Sequence, residues 1–193
     1  MTCLASQTDL FGQPGIRRTA EFRGRDRVVL RRWWAPGPQA CIIGHNPSDA
    51  DADSDDPTSK WWIRWCQHYG FGGYAAVNLY PFTSSNPKDC YAKVADIYAG
   101  LDWDARDALH FVNLPAVIRE AKAAAQVFAC WGALADRDPM WVEHVVEEIQ
   151  SGAEPYPAIW CWGKTASGAP THPMARGRHR INPLQPALLW RDA

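Results

Sequence analysis

Polar groups stand where the apolar runs of this chain end. Cys41-Ile42-Ile43 breaks into Gly44-His45-Asn46-Pro47-Ser48. The run Tyr74 to Leu79 carries Asn78 near its end and is followed by Tyr80-Pro81-Phe82. Gln126 to Cys130 ends in Trp131-Gly132. Ala158 to Gly163 leads through a polar loop to His172-Pro173-Met174, with Arg176, Arg178 and Arg180 just beyond. A buried strand that breaks into a Gly/Asn/Pro loop marks where open α/β sheets hold ligands, outside the carboxyl ends of the strands. An amide at such an end, as at Asn78, suits the reading of a ligand edge; it equally suits a satisfied turn. A lone His or Asn is more often structural than catalytic, so weight rests on the order of the four exits.

The elements that must position these groups alternate between strand and helix. Val28 to Trp34 reads as a strand, the cluster Ala35-Pro36-Gly37-Pro38 as a turn, and Gln39 to Gly44 as the next strand, returning beside the first. Asp55-Asp56-Pro57 has the grammar of a helix start, with Asp at the N-cap and Pro at the first helical position. Thr58 to Tyr69 then carries Trp61, Trp62, Trp65 and Cys66 at helical spacing. Asp96 to His110 is amphipathic but weakly patterned, Pro115 to Ala125 reads as a helix, and Pro139 opens another. The alternation predicts a single α/β domain over residues 1–193. Its central sheet is expected to hold four or five mostly parallel strands, with helices on both faces in a three-layer α/β/α order. Residues 1–20 read as an irregular arm. The arginines from Arg17 to Arg27 read as a solvated edge, with a phosphate-contact surface as the lesser alternative.

Composition narrows the class. Apolar side chains make up 47% of the chain and charged ones 21%, which is globular and not disordered. A net charge of −1 excludes a global nucleic-acid signature, so any such site must be a local patch. The six cysteines form no C-x-x-C pair, and neither a metal centre nor a disulfide framework is expected. No run is long enough to span a membrane, and the first residues lack the pattern of a secretory signal. A cytoplasmic monomer without a cofactor is the expectation.

In order and content the four exits resemble the uracil-DNA glycosylase superfamily. Gly44-His45-Asn46-Pro47 is similar to its first motif, Val77-Asn78-Leu79 to the strand whose Asn reads the base, Val127 to Ala135 to its third segment, and His172-Pro173-Met174 to a reduced form of its final H-P-S loop. The whole chain also resembles a family of small bacterial and phage proteins catalogued as a domain of unknown function. That likeness rests on Asn46-Pro47-Ser48, Asp55-Asp56-Pro57-Thr58, Asn78-Leu79-Tyr80, Pro87-Lys88, Trp131-Gly132 and Gly168 to Pro173. The glycosylase likeness implies cleavage of an N-glycosidic bond to a damaged or modified base, through an oxocarbenium-like sugar. It implies that Asn46 holds the water and that His172 donates to charge developing on the base. Gly44, His45, Pro47 and Asn78 would surround the base, with Tyr80, Phe82, and Trp61 or Trp62 stacking on it. Ser48, Pro173, Met174, Arg176, Arg178 and Arg180 would meet DNA. Asp56 is the alternative water activator, set against its role as a helix cap. The competing readings are a nucleobase or nucleotide-binding module without catalysis, favoured by the neutral Asn46 and the incomplete last motif, and a hydrolase of free modified nucleosides or nucleotides.

Overall fold

A computed structural model describes residues 15–48 and 50–193. Seven strands form one mixed sheet: β1 (Arg17–Arg23), β2 (Asp26–Trp33), β3 (Gln39–Gly44), β4 (Gly73–Asn78), β5 (Gln126–Ala129), β6 (Ile159–Cys161) and β7 (Leu188–Arg191), in the order β1-β2-β4-β3-β5-β6-β7. The central strand β3 is buried from Ala40 to Gly44, as expected of an apolar run covered on both faces. It pairs in parallel with β4 on one side and β5 on the other, and β5 pairs in parallel with β6.

The edges depart from the expected sheet. β2 pairs antiparallel with β4, not with the β3 that follows it in sequence. β1 pairs antiparallel with β2, and β7 with β6, so half of the strand pairings are antiparallel and the sheet is mixed rather than mostly parallel. The expected irregular arm is strand from Arg17 onward; residues 1–14 lie outside the described residues. β1 reads RRTAEFR and is half-solvated, so it lacks the apolar run that signals a buried strand.

The helices are α1 (Pro57–His68), α2 (Pro87–Tyr98), α3 (Trp103–Asp107), α4 (Leu114–Ala123) and α5 (Pro139–Ile149). α1 begins as its sequence predicts, with Asp56 accepting from the Ser59 N–H and Pro57 in the first turn. Its Trp61, Trp65 and Cys66 pack with Ile42 and Phe128 on one face of the sheet. On the other face Ile43, Val77 and Ala129 pack with residues of α4 and α5 such as Val117, Trp141 and Val145. Successive residues of β3 thus feed opposite cores, as the pleat requires. The expected element from Asp96 to His110 is instead broken: α2 ends at Tyr98, Gly100 turns the chain at φ +71°, Asp102 caps α3, and a wide turn over Ala108–Asn113 runs into α4.

The basic stretch is not simply a solvated edge, since Arg27 is buried, and so is Arg32 further along β2. Arg32 is 0% exposed. Its Nε donates to Asp55 Oδ1 at 2.6 Å, and its Nη2 donates to the carbonyls of Asp51 and Ser54. Arg18 holds the other Asp55 oxygen, at 2.9 and 3.0 Å. The acidic loop before α1 is therefore stitched to β1 and β2 by guanidinium groups that pair with Asp55, which fixes the entry to α1.

Candidate functional site

The parallel strands occupy the order β4-β3-β5-β6. The connection after β3 crosses to one face through α1, whereas those after β4 and β5 cross to the other. The crevice beyond the carboxyl end of β3 is thus a switch point, where α/β sheets bind ligands. A cavity of about 260 Å³ lies there, just under the roughly 300 Å³ lower end for small-molecule pockets. Its walls bring together Gly44, His45, Asn46, Ser48, Asp56, Asn78 and His172 from four separate stretches of the chain. Trp62 and Trp131 supply aromatic wall, and Arg27 reaches it from the start of β2.

The exits are zipped together by the main chain. The Leu79 N–H donates to Gly44 O, Tyr80 N–H to His45 O, and Ser84 N–H to Pro47 O, all at 3.0 Å. From beneath, Asn113 Nδ2 donates to the Asn78 and Leu79 carbonyls and Trp141 Nε1 to Leu79 O. Gly44 is glycine because a Cβ there would stand 2.6 Å from Asn78 Oδ1. Asn78 is 4% exposed, and its side-chain amide makes no hydrogen bond among the described residues. The amide borders the cavity, open to pair with a group that enters it.

Asn46 is fixed differently. Its Nδ2 donates to the carbonyls of Ser84, Phe82 and Pro47, at 2.9, 3.3 and 3.2 Å. That sets the amide orientation and turns Oδ1 toward His45 Nδ1, 3.0 Å away. His45 Nδ1 must then carry a proton. Its Nε2 lies 2.8 Å from the Tyr91 hydroxyl, which also reaches Leu134 O. Burial lowers the His45 pKa, assisted by the charge of Arg137 and opposed by the Asn46 bond.

His172 follows from a second backbone contact. The Met174 N–H donates to His172 Nδ1 at 3.1 Å. A neutral ring accepting there carries its proton on Nε2. Burial pushes the ring pKa down to about 4, with the charge of Asp56 opposing and that of His45 adding. His172 is thus a neutral donor at physiological pH. Gly132, at φ +73°, lets β5 turn close beneath it and gives its N–H to Pro170 O at 2.8 Å.

Asp56 caps α1, as one sequence reading has it, and also borders the cavity. Oδ1 caps α1 through the Ser59 N–H at 2.6 Å, and Oδ2 accepts from the Ser48 hydroxyl. Burial raises its pKa, but these bonds and the Arg27 charge outweigh that and hold it below the usual carboxylate range. The cap is therefore also an ionised wall of the cavity.

The structure leaves other candidates outside. Tyr80 is buried and donates to Asp138 Oδ2 at 2.9 Å. Phe82 is buried beneath Lys93, whose Nζ lies 4.9 Å from the ring centroid. Trp61 packs edge-on against Trp162, and it is the next residue, Trp62, that lines the cavity. Pro47 and Pro173 are buried in the loops, and neither borders the cavity. Met174, Arg176, Arg178 and Arg180 are exposed beyond the His172 loop, outside the cavity wall. Sequence reasoning missed the cavity position of Arg27 and the supports Asn113, Ser84 and Tyr91. The one available signal was an arginine directly abutting the apolar run Val28-Val29-Leu30.

The family described as "Protein of unknown function (DUF1643)" matches residues 27–174. The chain belongs to this family. The DUF1643 span begins at Arg27 and runs past His172, so it contains every residue of the cavity wall, while β1, β7 and the three exposed arginines fall outside it. No curated protein and no solved structure matches the chain. Among the described residues there is no cluster of His, Cys, Asp and Glu able to hold a metal ion, and no helix long and apolar enough to cross a membrane.

Proposed function

We propose that this cavity hydrolyses an N-glycosidic bond and releases a single base, as a DNA glycosylase does. The observation that supports this most is the meeting of a cavity-lining amide without a protein partner, Asn78, and a neutral imidazole donor, His172, in one small cavity with aromatic walls. An amide offers one donor and one acceptor to the edge of a base. As the C1′–N bond breaks, its electron pair moves onto the base and charge gathers on a ring carbonyl. His172 Nε2–H donates to that oxygen, and being neutral it has no proton to lose to bulk water at pH 7. Trp62 and Trp131 offer apolar surface to the ring. The ionised Asp56 faces the sugar, which becomes cationic, and a water aligned by Asn46 Oδ1 adds its oxygen to C1′ while its proton ends on the departing base anion. The exposed arginines beyond Met174 offer phosphate contacts outside the cavity.

The test is base release, followed by chromatography, from oligonucleotides carrying a panel of modified bases. Removing one donor to a developing oxyanion typically costs about 10²–10³ in kcat. His172→Ala is expected to lose activity on that scale with substrate binding largely retained. A folded His172→Ala protein with unchanged turnover would remove the donor from the mechanism.

A further inference from the structure

Arg27 is the wall residue that this chemistry leaves without a task. It opens the apolar run of β2 and is 3% exposed, yet it borders the cavity. Nη1 donates to Ala50 O, while Nε has no hydrogen-bond partner. No carboxylate stands within ion-pair distance of it among the described residues. Buried charges are normally paired or fully hydrogen-bonded, so an orphaned guanidinium N–H at a cavity wall marks a place for an acceptor that arrives with the ligand. Burial brings the Arg27 pKa down to about 10, which leaves the group charged at neutral pH. Asp56 shares the cavity, but Ser48 and the Ser59 N–H already occupy its oxygens. Arg27 is the only cation lining the wall among the described residues. Thr58, in the first turn of α1, borders the same space, and the N-terminal end of that helix adds positive potential.

We propose that Arg27 forms an anion subsite for the phosphate attached to the nucleoside whose base meets Asn78 and His172, an inference that rests on the base-release reading of the cavity. The phosphate is either the monoester of a free nucleotide or the diester of a strand. A guanidinium fork accepts both, with two parallel N–H···O bonds.

The experiment is calorimetric titration at constant ionic strength. The probes are inorganic phosphate, a set of deoxynucleosides, their 5′-monophosphates, and the matching dinucleotide phosphodiesters. A charged hydrogen bond is worth about 1.5–3 kcal/mol, or roughly ten- to hundredfold in affinity. At least one phosphate form should therefore bind the wild-type protein about tenfold or more tightly than its nucleoside. Arg27→Gln should erase that ratio and leave nucleoside affinity in place. Preference for the monoester identifies a free nucleotide, and preference for the diester identifies a strand. Arg27→Lys keeps the charge without the fork and should retain part of the preference, which serves if Arg27→Gln does not fold. Inorganic phosphate that binds in an Arg27-dependent way while no nucleoside binds would sustain the subsite and overturn the base-release reading. Equal binding of nucleosides and their phosphates, a phosphate preference that survives in Arg27→Gln, or no binding of any probe would overturn the subsite.

Discussion

Lowering the pH should destabilise this protein through His172, by an amount that follows from its surroundings. The ring accepts the Met174 N–H at Nδ1 and forms part of the cavity wall, and its pKa falls from 6.5 to about 4 in the fold. In the unfolded chain it titrates near 6.5. The unfolded state therefore binds more protons between those values, and stability must rise with pH across that window. The contribution is complete above pH 6.5, declines as the pH falls, and is exhausted below about 4. The gap between the two pKa values corresponds to about 3 kcal/mol. The assay is urea denaturation of the wild type and of His172→Gln from neutral pH down to pH 4. Carboxylates with lowered pKa, such as Asp56 and Glu143, also lose stability in acid, but they do so in both proteins. The wild type should lose about 3 kcal/mol more than the variant over the window. Parallel curves for the two proteins would refute the assignment of a buried, neutral His172, and with it the donor in the mechanism.

Three further outcomes follow. Gly44→Ala puts a Cβ 2.6 Å from Asn78 Oδ1; it should cost about 1–3 kcal/mol by overpacking and abolish base binding, read by thermal unfolding and titration. Binding that survives intact would mean that the Asn78 amide does not read the ligand. Asp55→Ala strands the fully buried Arg32 and should cost about 3–5 kcal/mol, whereas Arg32→Met with Asp55→Leu should recover much of it. A loss under 1 kcal/mol in the single variant would deny the pair its role in holding the loop before α1. Asn113→Leu removes the amide that holds the Asn78 and Leu79 carbonyls and should cost about 1–3 kcal/mol, although Leu79 O keeps the Trp141 indole N–H. Unchanged stability in denaturant would count against it.

Much of this arrangement is written locally in the sequence. The Asp56-Pro57 start of α1, the buried β3 and the exits at Asn46 and Asn78 all stand where periodicity and turn chemistry place them, because each depends on neighbours within a few residues. What could not be read depends on distant partners. β1 and β7 are short edge strands, and their pairing is settled by β2 and β6 rather than by their own apolar pattern. Arg32 looks like a surface charge until Asp55, 23 residues later, folds onto it. Trp61 and Trp62 carry the same chemistry and both join the core, and only the rotation of α1 decides that Trp62 also borders the cavity. Tyr80 has the position of a stacking residue, but Asp138, at the start of α5, takes its hydroxyl.

The most direct measurement of the central claim is an abasic-site assay on oligonucleotides carrying uracil, mismatched thymine, hypoxanthine and hypermodified pyrimidines, in single and double strands, run beside the corresponding free nucleotides. Release of one base, abolished in His172→Ala and in Asn78→Ala and reduced in Asn46→Ala, is the predicted result. A folded protein that releases no base from any strand or nucleotide would contradict it.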